Sequence, residues 1–180
     1  MKRAIFLDRD GVLNEPVVRD GKPYPPASPE DLLICEGAPA ALEDLRRLGF
    51  ALVCVTNQPD ISRGALSGQT LDAINARLMA ALPLDAIFVC RHDDADDCSC
   101  RKPKPGLIHQ AATEFGLDVA ASYLVGDRWR DIEAGSAAGC RTVFIDRGYK
   151  ERLSAVPPDA TVLSIAAAAA WIIADSTRSH

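Results

Sequence analysis

Short apolar runs that stop abruptly at polar residues recur along this chain, with helix-like segments between them. The first run covers residues 4–7 and ends at Asp8, as expected of a buried strand that delivers a polar residue at its carboxyl end. Alternation of strands and helices without internal repeats indicates a parallel sheet covered on both faces. We therefore predict an α/β fold with a doubly wound parallel sheet, in which ligands bind beyond the carboxyl ends of the strands.

The same pattern predicts where the elements lie. Strands are predicted at residues 4–7, 50–55, 85–89, 123–125 and 142–145, and helices at residues 39–48, 71–82, 106–115, 131–138 and 163–174. Residues 15–29 are rich in proline and charge, which predicts a long loop or flap over the strand ends. Because no segment between the predicted elements is long enough for a separate cap domain, we expect a shallow, capless site.

Size and charge limit the organisation of the chain and its partners. With 180 residues, of which 48% are hydrophobic, the chain can bury the core of one domain, which we place at residues 1–180. The net charge of −5 argues against a nucleic acid or a membrane as partner. The apolar run before Asp8 is too short for a secretory signal, and residues 163–174 are too few for a membrane span. We expect a cytoplasmic monomer.

Two carboxylates, Asp8 and Asp10, lie two residues apart just beyond the first predicted strand. Paired acids favour a hard cation such as Mg²⁺, which we place at Asp8, Asp10 and Asp127, with a backbone carbonyl as a further ligand. With the repulsion between anions reduced by the cation and a lysine, Asp8 could attack phosphorus and form an aspartyl phosphate. Asp10 could then protonate the leaving alcohol and later activate the water that hydrolyses the intermediate.

The transferred phosphoryl group also needs fixed donors around its oxygens. Thr56, Asn57 and Gln58 follow the second predicted strand directly, and Lys102 follows a cysteine-rich segment, so these residues could converge on Asp8. Each of these short motifs alone is a common turn. Their order along the chain, each at a strand end, predicts a magnesium-dependent phosphatase that acts on a small-molecule phosphate ester.

Three of the six cysteines, Cys90, Cys98 and Cys100, lie close together beside His92. In a reducing compartment, such a cluster indicates a metal site rather than disulfides. The alternative is a set of free thiols in a mobile loop, which the four aspartates at positions 93, 94, 96 and 97 would keep solvated. Three thiols and an imidazole together favour the metal.

In their order along the chain, the motifs resemble those of the haloacid dehalogenase superfamily. They are Asp8-x-Asp10-Gly11, Thr56-Asn57, Lys102-Pro103 and Gly126-Asp127-x-x-x-Asp131. The resemblance implies that Asp8 is the nucleophile and that Asp10 is the acid and base. It further implies that Thr56 and Lys102 bind the phosphoryl group, and that Asp127 is a metal ligand in a Rossmann-like fold.

Within that superfamily, the segment 6–14, the Thr-Asn-Gln motif and residues 100–103 resemble two groups of enzymes. These are the D,D-heptose 1,7-bisphosphate phosphatases and the related histidinol-phosphate phosphatases. Both groups carry a zinc loop. The resemblance therefore implies a closed, structural zinc site formed by four ligands, namely Cys90, His92, Cys98 and Cys100.

For a sugar bisphosphate, the resemblance implies that Arg101 binds the second phosphate, with Arg128 as a helper. We add Arg63 and Lys104 as further candidates, and we assign Asn57 and Gln58 to substrate binding as well. The implied reaction removes the C7 phosphate of D-glycero-D-manno-heptose 1,7-bisphosphate and leaves heptose 1-phosphate for bacterial surface polysaccharide.

Two departures keep a second substrate open. Pro59-Asp60 follows Thr-Asn-Gln, and proline stiffens that turn and changes the fit around the sugar. The zinc loop is short, as in the histidinol-phosphate phosphatases, so histidinol phosphate is the alternative substrate. Two other classes are a non-catalytic phospho-receiver and a zinc-bound interaction module. Asp10 argues against the first because it would hasten loss of the phosphoryl group, and the motif order argues against the second.

Overall fold

A computed structural model describes residues 1–178 of the chain. The strands are β1 (Ala4–Leu7), β2 (Val17–Arg19), β3 (Lys22–Tyr24), β4 (Ala51–Asn57), β5 (Ala86–Cys90), β6 (Tyr123–Gly126), β7 (Arg141–Ile145) and β8 (Ala160–Val162). The helices are α1 (Ala38–Arg47), α2 (Gly68–Ala81), α3 (Gly106–Phe115), α4 (Trp129–Ala138) and α5 (Ile165–Arg178). Short 3-10 turns lie at Pro29–Asp31 and Asp94–Asp96.

The central sheet has the strand order β5-β4-β1-β6-β7-β8, and neighbouring strands run parallel. β1 lies between β4 and β6, with Phe6 aligned to Val53 on one side and to Leu124 on the other. Since parallel strands end at the same edge of a sheet, the carboxyl ends of β1, β4 and β6 are neighbours there. The predicted doubly wound parallel sheet is confirmed.

Helices cover both faces of this sheet. Ile5 and Leu7 of β1 belong to a core with residues of α1, α2 and α5, whereas Ala4 and Phe6 belong to a core with residues of α3 and α4. All four residues of β1 are fully buried. A strand buried on both faces must be apolar at every position, which is why a continuous apolar run predicted it.

Every predicted strand and helix is present, with ends within four residues of the prediction. α2 begins at Gly68, before its predicted start, because the Ser67 hydroxyl accepts the N–H of Thr70 at 3.0 Å and caps the helix. Within residues 1–178, no helix has both the length and the apolar character needed to cross a membrane.

Two regions differ from the prediction. Residues 15–29 were predicted as a loop, but they contain the antiparallel hairpin of β2 and β3. Its turn, Asp20-Gly21, has φ angles of 52° and 78°, which suit a two-residue hairpin turn. The Asp-Gly pair is typical of such turns and could have predicted the hairpin from the sequence. β8 extends the sheet beyond β7 with only three residues, so no apolar run marks it.

Candidate active site

The shared edge of β1, β4 and β6 brings predicted site residues together. Asp8 follows β1, Thr56 lies near the end of β4, and Asp127 follows β6. Asp8, Asp127 and Asp131, the last from α4, each offer an oxygen within 4.8 Å of the others, and all three are buried. The strand order thus brings Asp8 to Asp127 and Asp131, which belong to one motif far from Asp8 in the chain.

Lys102 binds directly to this carboxylate group. Its ammonium donates to Asp8 Oδ1 at 2.8 Å, to Asp131 Oδ1 at 2.5 Å and to the Val55 carbonyl at 2.8 Å. Asn57 anchors the lysine backbone, because its amide donates to the Lys102 carbonyl and accepts the Lys102 N–H. The end of β4 therefore holds Lys102 against Asp8.

These contacts shift the ionisation of the buried groups. Burial, together with the charge of Asp131, raises the pKa of Asp8 from 3.8 to about 6, although Lys102 opposes the shift. Burial and the charges of Asp8 and Asp131 also raise the pKa of Asp127 well above its usual value. Burial would lower the pKa of Lys102, but the two carboxylates outweigh it and raise that pKa. One lysine does not balance three buried carboxylates.

Asp127 is the member of the group that fits a metal most clearly. Both of its carboxylate oxygens are buried. The Tyr149 hydroxyl opposes the rise in the pKa of Asp127, but within residues 1–178 no donor reaches either oxygen with normal hydrogen-bond geometry. Gly11 packs so closely that a Cβ there would lie 1.7 Å from Asp127 Oδ2. Because buried charges without partners are costly, and oxygens are the ligands that Mg²⁺ prefers, the carboxylate group fits a divalent cation.

The side chain of Asp10 lies outside the carboxylate group. It accepts hydrogen bonds from Arg9 at 3.1 Å, Asn14 at 3.0 Å and Gln58 at 2.8 Å. Arg9 is fully buried and also donates to Asn75 of α2. Three donors therefore fix the Asp10 carboxylate at the pocket, and a metal contact through this side chain stays a prediction.

A pocket of about 280 Å³ opens over Asp8 and Lys102. Thr56 and Gln58 line it, and Gln58 Nε2 donates to Thr56 Oγ1 at 3.0 Å. The hairpin forms part of its wall. Outside the catalytic group, the charged lining residues are Lys22, Arg63, Arg101, Arg128 and Arg130 as cations, and Asp60, Asp94 and Glu151 as anions. This excess of cations favours an anionic ligand.

Both arginines predicted to bind a second phosphate line the pocket, and both are paired with acids. Arg101 donates to Asp94 at 2.8 Å and to the His92 carbonyl at 3.2 Å. Arg128 donates to Glu151 through Nε at 3.0 Å and also through Nη2. Any phosphate bound there would therefore compete with carboxylates that are already in place.

The two further cationic candidates differ in position. Arg63 forms an ion pair with Asp93 at 2.6 Å and lines the pocket. Lys104 forms an ion pair with Asp97 at 2.5 Å and is not part of the pocket wall. Of these two, only Arg63 is placed to meet a ligand.

A second group of side chains that could hold a metal ion runs from the end of β5 towards α3. The sulfurs of Cys90, Cys98 and Cys100 lie 3.3 to 3.6 Å apart, and His92 Nδ1 lies 3.4 Å from Cys100 Sγ. Tetrahedral zinc, with Zn–S bonds of about 2.3 Å, separates its sulfurs by about 3.8 Å, so the group fits zinc. Burial opposes ionisation of Cys98, but hydrogen bonds from Cys100 and from the Arg101 backbone outweigh it and lower the pKa of Cys98 to about 7.

Comparison with known proteins places this site in a family. Residues 99–168 match the family model described as "HAD-hyrolase-like". Over 151 residues, the chain is 35% identical to the D-glycero-beta-D-manno-heptose-1,7-bisphosphate 7-phosphatase of Bordetella bronchiseptica, covering 81% of this chain and 82% of that protein. The chain belongs to the haloacid dehalogenase (HAD) superfamily of phosphatases. It is a hydrolase of phosphate monoesters, as predicted.

Other relatives of this HAD phosphatase support the same family assignment. The protein of the same name from Pseudomonas aeruginosa is 33% identical over 171 residues, with 90% of this chain and 92% of that protein covered. The crystal structure of D,D-heptose 1,7-bisphosphate phosphatase from B. bronchiseptica, complexed with magnesium and phosphate, has a TM-score of 0.79 at 30% identity, covering 96% of this chain and 99% of that chain. A putative HAD-like phosphatase from Mesorhizobium loti also scores 0.79, at 27% identity, covering 98% and 87%.

The structure of this HAD phosphatase also contains residues to which the sequence analysis assigned no role. Asp131 belongs to the quoted Gly-Asp-x-x-x-Asp motif, so a signal for it was present. Arg9 sits between the two aspartates of the first motif, but nothing in the sequence shows that it is buried. Arg130 and Glu151 had no signal, because only the fold brings them to the pocket.

Proposed function

We propose that this HAD phosphatase removes the C7 phosphate of D-glycero-D-manno-heptose 1,7-bisphosphate and leaves heptose 1-phosphate. The supporting observation is a single pocket that contains both the buried Asp8–Lys102 pair and a second cationic group at Arg101 and Arg130. A substrate with two phosphates needs both, since each phosphate requires its own donors. The names of the B. bronchiseptica and P. aeruginosa relatives support the same substrate.

Asp8 is the proposed nucleophile. It lies at the end of β1, lines the pocket and accepts a hydrogen bond from Lys102. An oxygen of Asp8 attacks phosphorus in line, so that a new P–O bond forms while the bond from phosphorus to the leaving C7 oxygen breaks. The Lys102 ammonium offsets the charge between the two anions, and Thr56 lies where its hydroxyl can orient a phosphoryl oxygen.

Asp10 is the proposed acid and base. In the first step it gives a proton to the C7 oxygen, and in the second it takes a proton from the water that attacks the phospho-enzyme. The donors on Arg9, Asn14 and Gln58 fix its carboxylate for both steps. The same residue therefore supports formation and loss of the aspartyl phosphate.

We propose that Mg²⁺ is held by Asp8 and Asp127, with Asp10 contributing through its backbone carbonyl or side chain. Asp131 is a further candidate, because its carboxylate belongs to the same group. When bound, Mg²⁺ would supply positive charge that lets the phosphate approach the anionic site. The magnesium in the relative from B. bronchiseptica supports this assignment.

We propose that zinc is held by Cys90, His92, Cys98 and Cys100 in a structural site without an open position. The segment that follows the last ligand carries Arg101 and Lys102 into the pocket. Zinc would then hold this segment in the position that the catalytic lysine requires.

The pocket's charge favours a second phosphate over the amine of histidinol phosphate. Asp94 and Glu151 line the pocket, but both are paired with arginines, and cations exceed acids outside the catalytic group. A cationic amine would meet repulsion there, whereas a phosphate would meet donors. The chain is a phosphatase, which excludes the alternative of a non-catalytic phospho-receiver.

We further propose that the protein works as a single-domain monomer in the cytoplasm. Both cores pack on one sheet. A reducing compartment would keep Cys90, Cys98 and Cys100 free of disulfides and available to bind zinc. Sedimentation equilibrium would test the monomer, since a dimeric mass would contradict it.

The first experiment is phosphate release from heptose 1,7-bisphosphate and histidinol phosphate at matched concentrations, with Mg²⁺ and then with EDTA. We expect Mg²⁺-dependent release from the heptose compound with a much higher kcat/KM. A preference for histidinol phosphate would contradict the proposed substrate and leave Asp8 in its role. Release that persists in EDTA would contradict the proposed metal.

A further inference from the structure

Asp94 lies between two arginines of the pocket. Its carboxylate accepts hydrogen bonds from Arg101 Nε at 2.8 Å and from Arg130 Nη1 and Nη2 at 3.0 and 3.2 Å. All three residues line the pocket. Two guanidinium groups thus converge on one carboxylate, in an arrangement that also suits a phosphate.

Each arginine has a second contact that does not involve Asp94. Arg101 donates to the His92 carbonyl at 3.2 Å, and Arg130 donates to the Lys102 carbonyl at 3.3 Å. The side chain of Arg101 is 11% exposed, whereas that of Asp94 is 56% exposed. Asp94 can therefore turn into solvent while both arginines stay in place.

We propose that Asp94 is an internal anion, which occupies the two arginines in the free enzyme and is displaced by the phosphate that is not transferred. This inference rests on the proposed function, because it assigns Arg101 and Arg130 to the second phosphate. A doubly charged phosphate displaces the singly charged carboxylate, whereas a hydroxyl does not. Asp94 is then a specificity-determining residue that favours bisphosphates over monophosphates.

Whether loss of Asp94 raises or lowers the KM for a bisphosphate distinguishes this role from a purely structural one. If Asp94 only connected the zinc loop to α4, its loss would loosen the arginines and weaken substrate binding. If Asp94 competes with phosphate, its loss removes the close carboxylate from both arginines and strengthens binding, although Asp93 stays 3.9 Å from Arg101. The two roles therefore predict opposite changes in KM for a bisphosphate.

The experiment compares Asp94→Asn with the control Asp97→Asn, on heptose 1,7-bisphosphate and on heptose 7-phosphate with Mg²⁺ present. Asp97 lies in the same loop, is 90% exposed and pairs with Lys104 outside the pocket wall. We expect Asp94→Asn to lower KM for the bisphosphate about 3- to 10-fold, the size of one or two exposed ion pairs. The kcat of Asp94→Asn and its KM for the monophosphate should not change. Asp97→Asn should leave the KM for both substrates unchanged.

Arg130→Gln supplies the opposite test, since it should raise the KM for the bisphosphate about tenfold more than the KM for the monophosphate. A smaller effect common to both substrates is expected, because Arg130 also donates to the Lys102 carbonyl. If the KM of Asp94→Asn for the bisphosphate is unchanged or raised, Asp94 does not compete with the second phosphate. Fructose 1,6-bisphosphate and fructose 6-phosphate, measured in the same way, separate this result from failure of the proposed function. If the heptose compound is not hydrolysed, the proposed substrate is wrong. The proposed role of Asp94 is then supported only if Asp94→Asn lowers the KM for fructose 1,6-bisphosphate and leaves the KM for fructose 6-phosphate unchanged.

Discussion

Lys102 contacts both Asp8 and Asp131, and these contacts determine how Asp8 is presented to a substrate. The ammonium is 3% exposed, so its charge acts in a region of weak screening. Removing one partner of a buried pair typically costs about 3–5 kcal/mol, because the other charge stays unpaired. Substitution of Lys102 would therefore change folding and chemistry together, and cleaner tests of the mechanism lie at neighbouring residues.

Asp10→Asn is the test of acid and base catalysis. Asparagine keeps the size of the side chain and one oxygen acceptor, but it neither gives nor takes the proton. It also removes the charge that pairs with the buried Arg9, so the variant should be less stable and is assayed at a temperature where it stays folded. We expect kcat to fall about 10²- to 10⁴-fold. Stopped-time phosphate assays measure this, with Asp44→Asn as a control on the exposed surface of α1. Near-normal turnover by Asp10→Asn would exclude Asp10 from the proton transfers.

The pH dependence of stability tests the burial of Asp8. Its pKa is about 6 in the metal-free folded protein, against an ordinary value of 3.8. The folded state therefore holds more protons between these pH values, so the free energy of unfolding falls as pH rises from about 4 to about 6. The loss is on the order of 3 kcal/mol.

Urea unfolding from pH 4 to pH 7 measures this loss, in a buffer without Mg²⁺ and without a chelator that would remove zinc. We expect a smaller fall over this range in Asp8→Asn than in the unchanged protein, because asparagine does not titrate. Equal slopes in the two proteins would show that Asp8 titrates at its ordinary pKa.

At the scale of elements, the segment between β5 and α3 links the proposed zinc site to the pocket. Cys90 is the last residue of β5, and Cys98 and Cys100 close the ligand group just before Arg101. The segment contains little regular structure apart from a 3-10 turn at Asp94–Asp96. Its position therefore depends on the ligand group more than on backbone hydrogen bonds.

Cys98→Ser should consequently disturb the whole segment. Loss of one ligand should release zinc and destabilise the protein by about 3 kcal/mol or more, which lowers Tm by roughly 6–12 °C. Zinc content by elemental analysis and Tm by calorimetry measure both effects. Cys140→Ala, at a buried cysteine outside the ligand group, should keep the zinc. A Cys98→Ser protein with full zinc and normal Tm would contradict the site.

At the scale of the whole molecule, the sheet concentrates unbalanced charge at one edge. Asp127 and Asp131 are close in the chain, and Asp8 meets them because β1 lies beside β6. The two cores on either side of the sheet hold this edge in place against the repulsion between the carboxylates. A bound cation should therefore stabilise the entire fold.

Mg²⁺ at 100 times its Kd should add about 2.7 kcal/mol of stability, or roughly 5–11 °C in Tm. Asp127→Asn should abolish this gain. Without added Mg²⁺ it should be at least as stable as the unchanged protein, because a carboxylate whose charge is disfavoured by burial and by Asp8 and Asp131 is gone. Thermal unfolding with and without MgCl₂ measures both. Asp72→Asn, at an exposed carboxylate paired with Arg91, should keep the gain. A full response in Asp127→Asn would place the cation elsewhere.

The sequence by itself determined the features that depend on local pattern. Continuous apolar runs predicted the buried strands, because a strand covered on both faces has no polar position. Motif order then indicated the chemistry, since parallel strands end at one edge and Asp8, Thr56 and Asp127 each follow or end a strand. The short strand β8 was not predicted, because its three partly exposed residues form no apolar run.

Only the tertiary structure decided which charged residues pair with one another. Arg130 and Asp94 are 36 residues apart, and Arg128 and Glu151 are 23 apart, so nothing local relates them. The buried positions of Arg9 and of the Asp127 carboxylate likewise follow from packing. Charge interactions depend on distance and burial in three dimensions, which sequence spacing does not specify across separate elements.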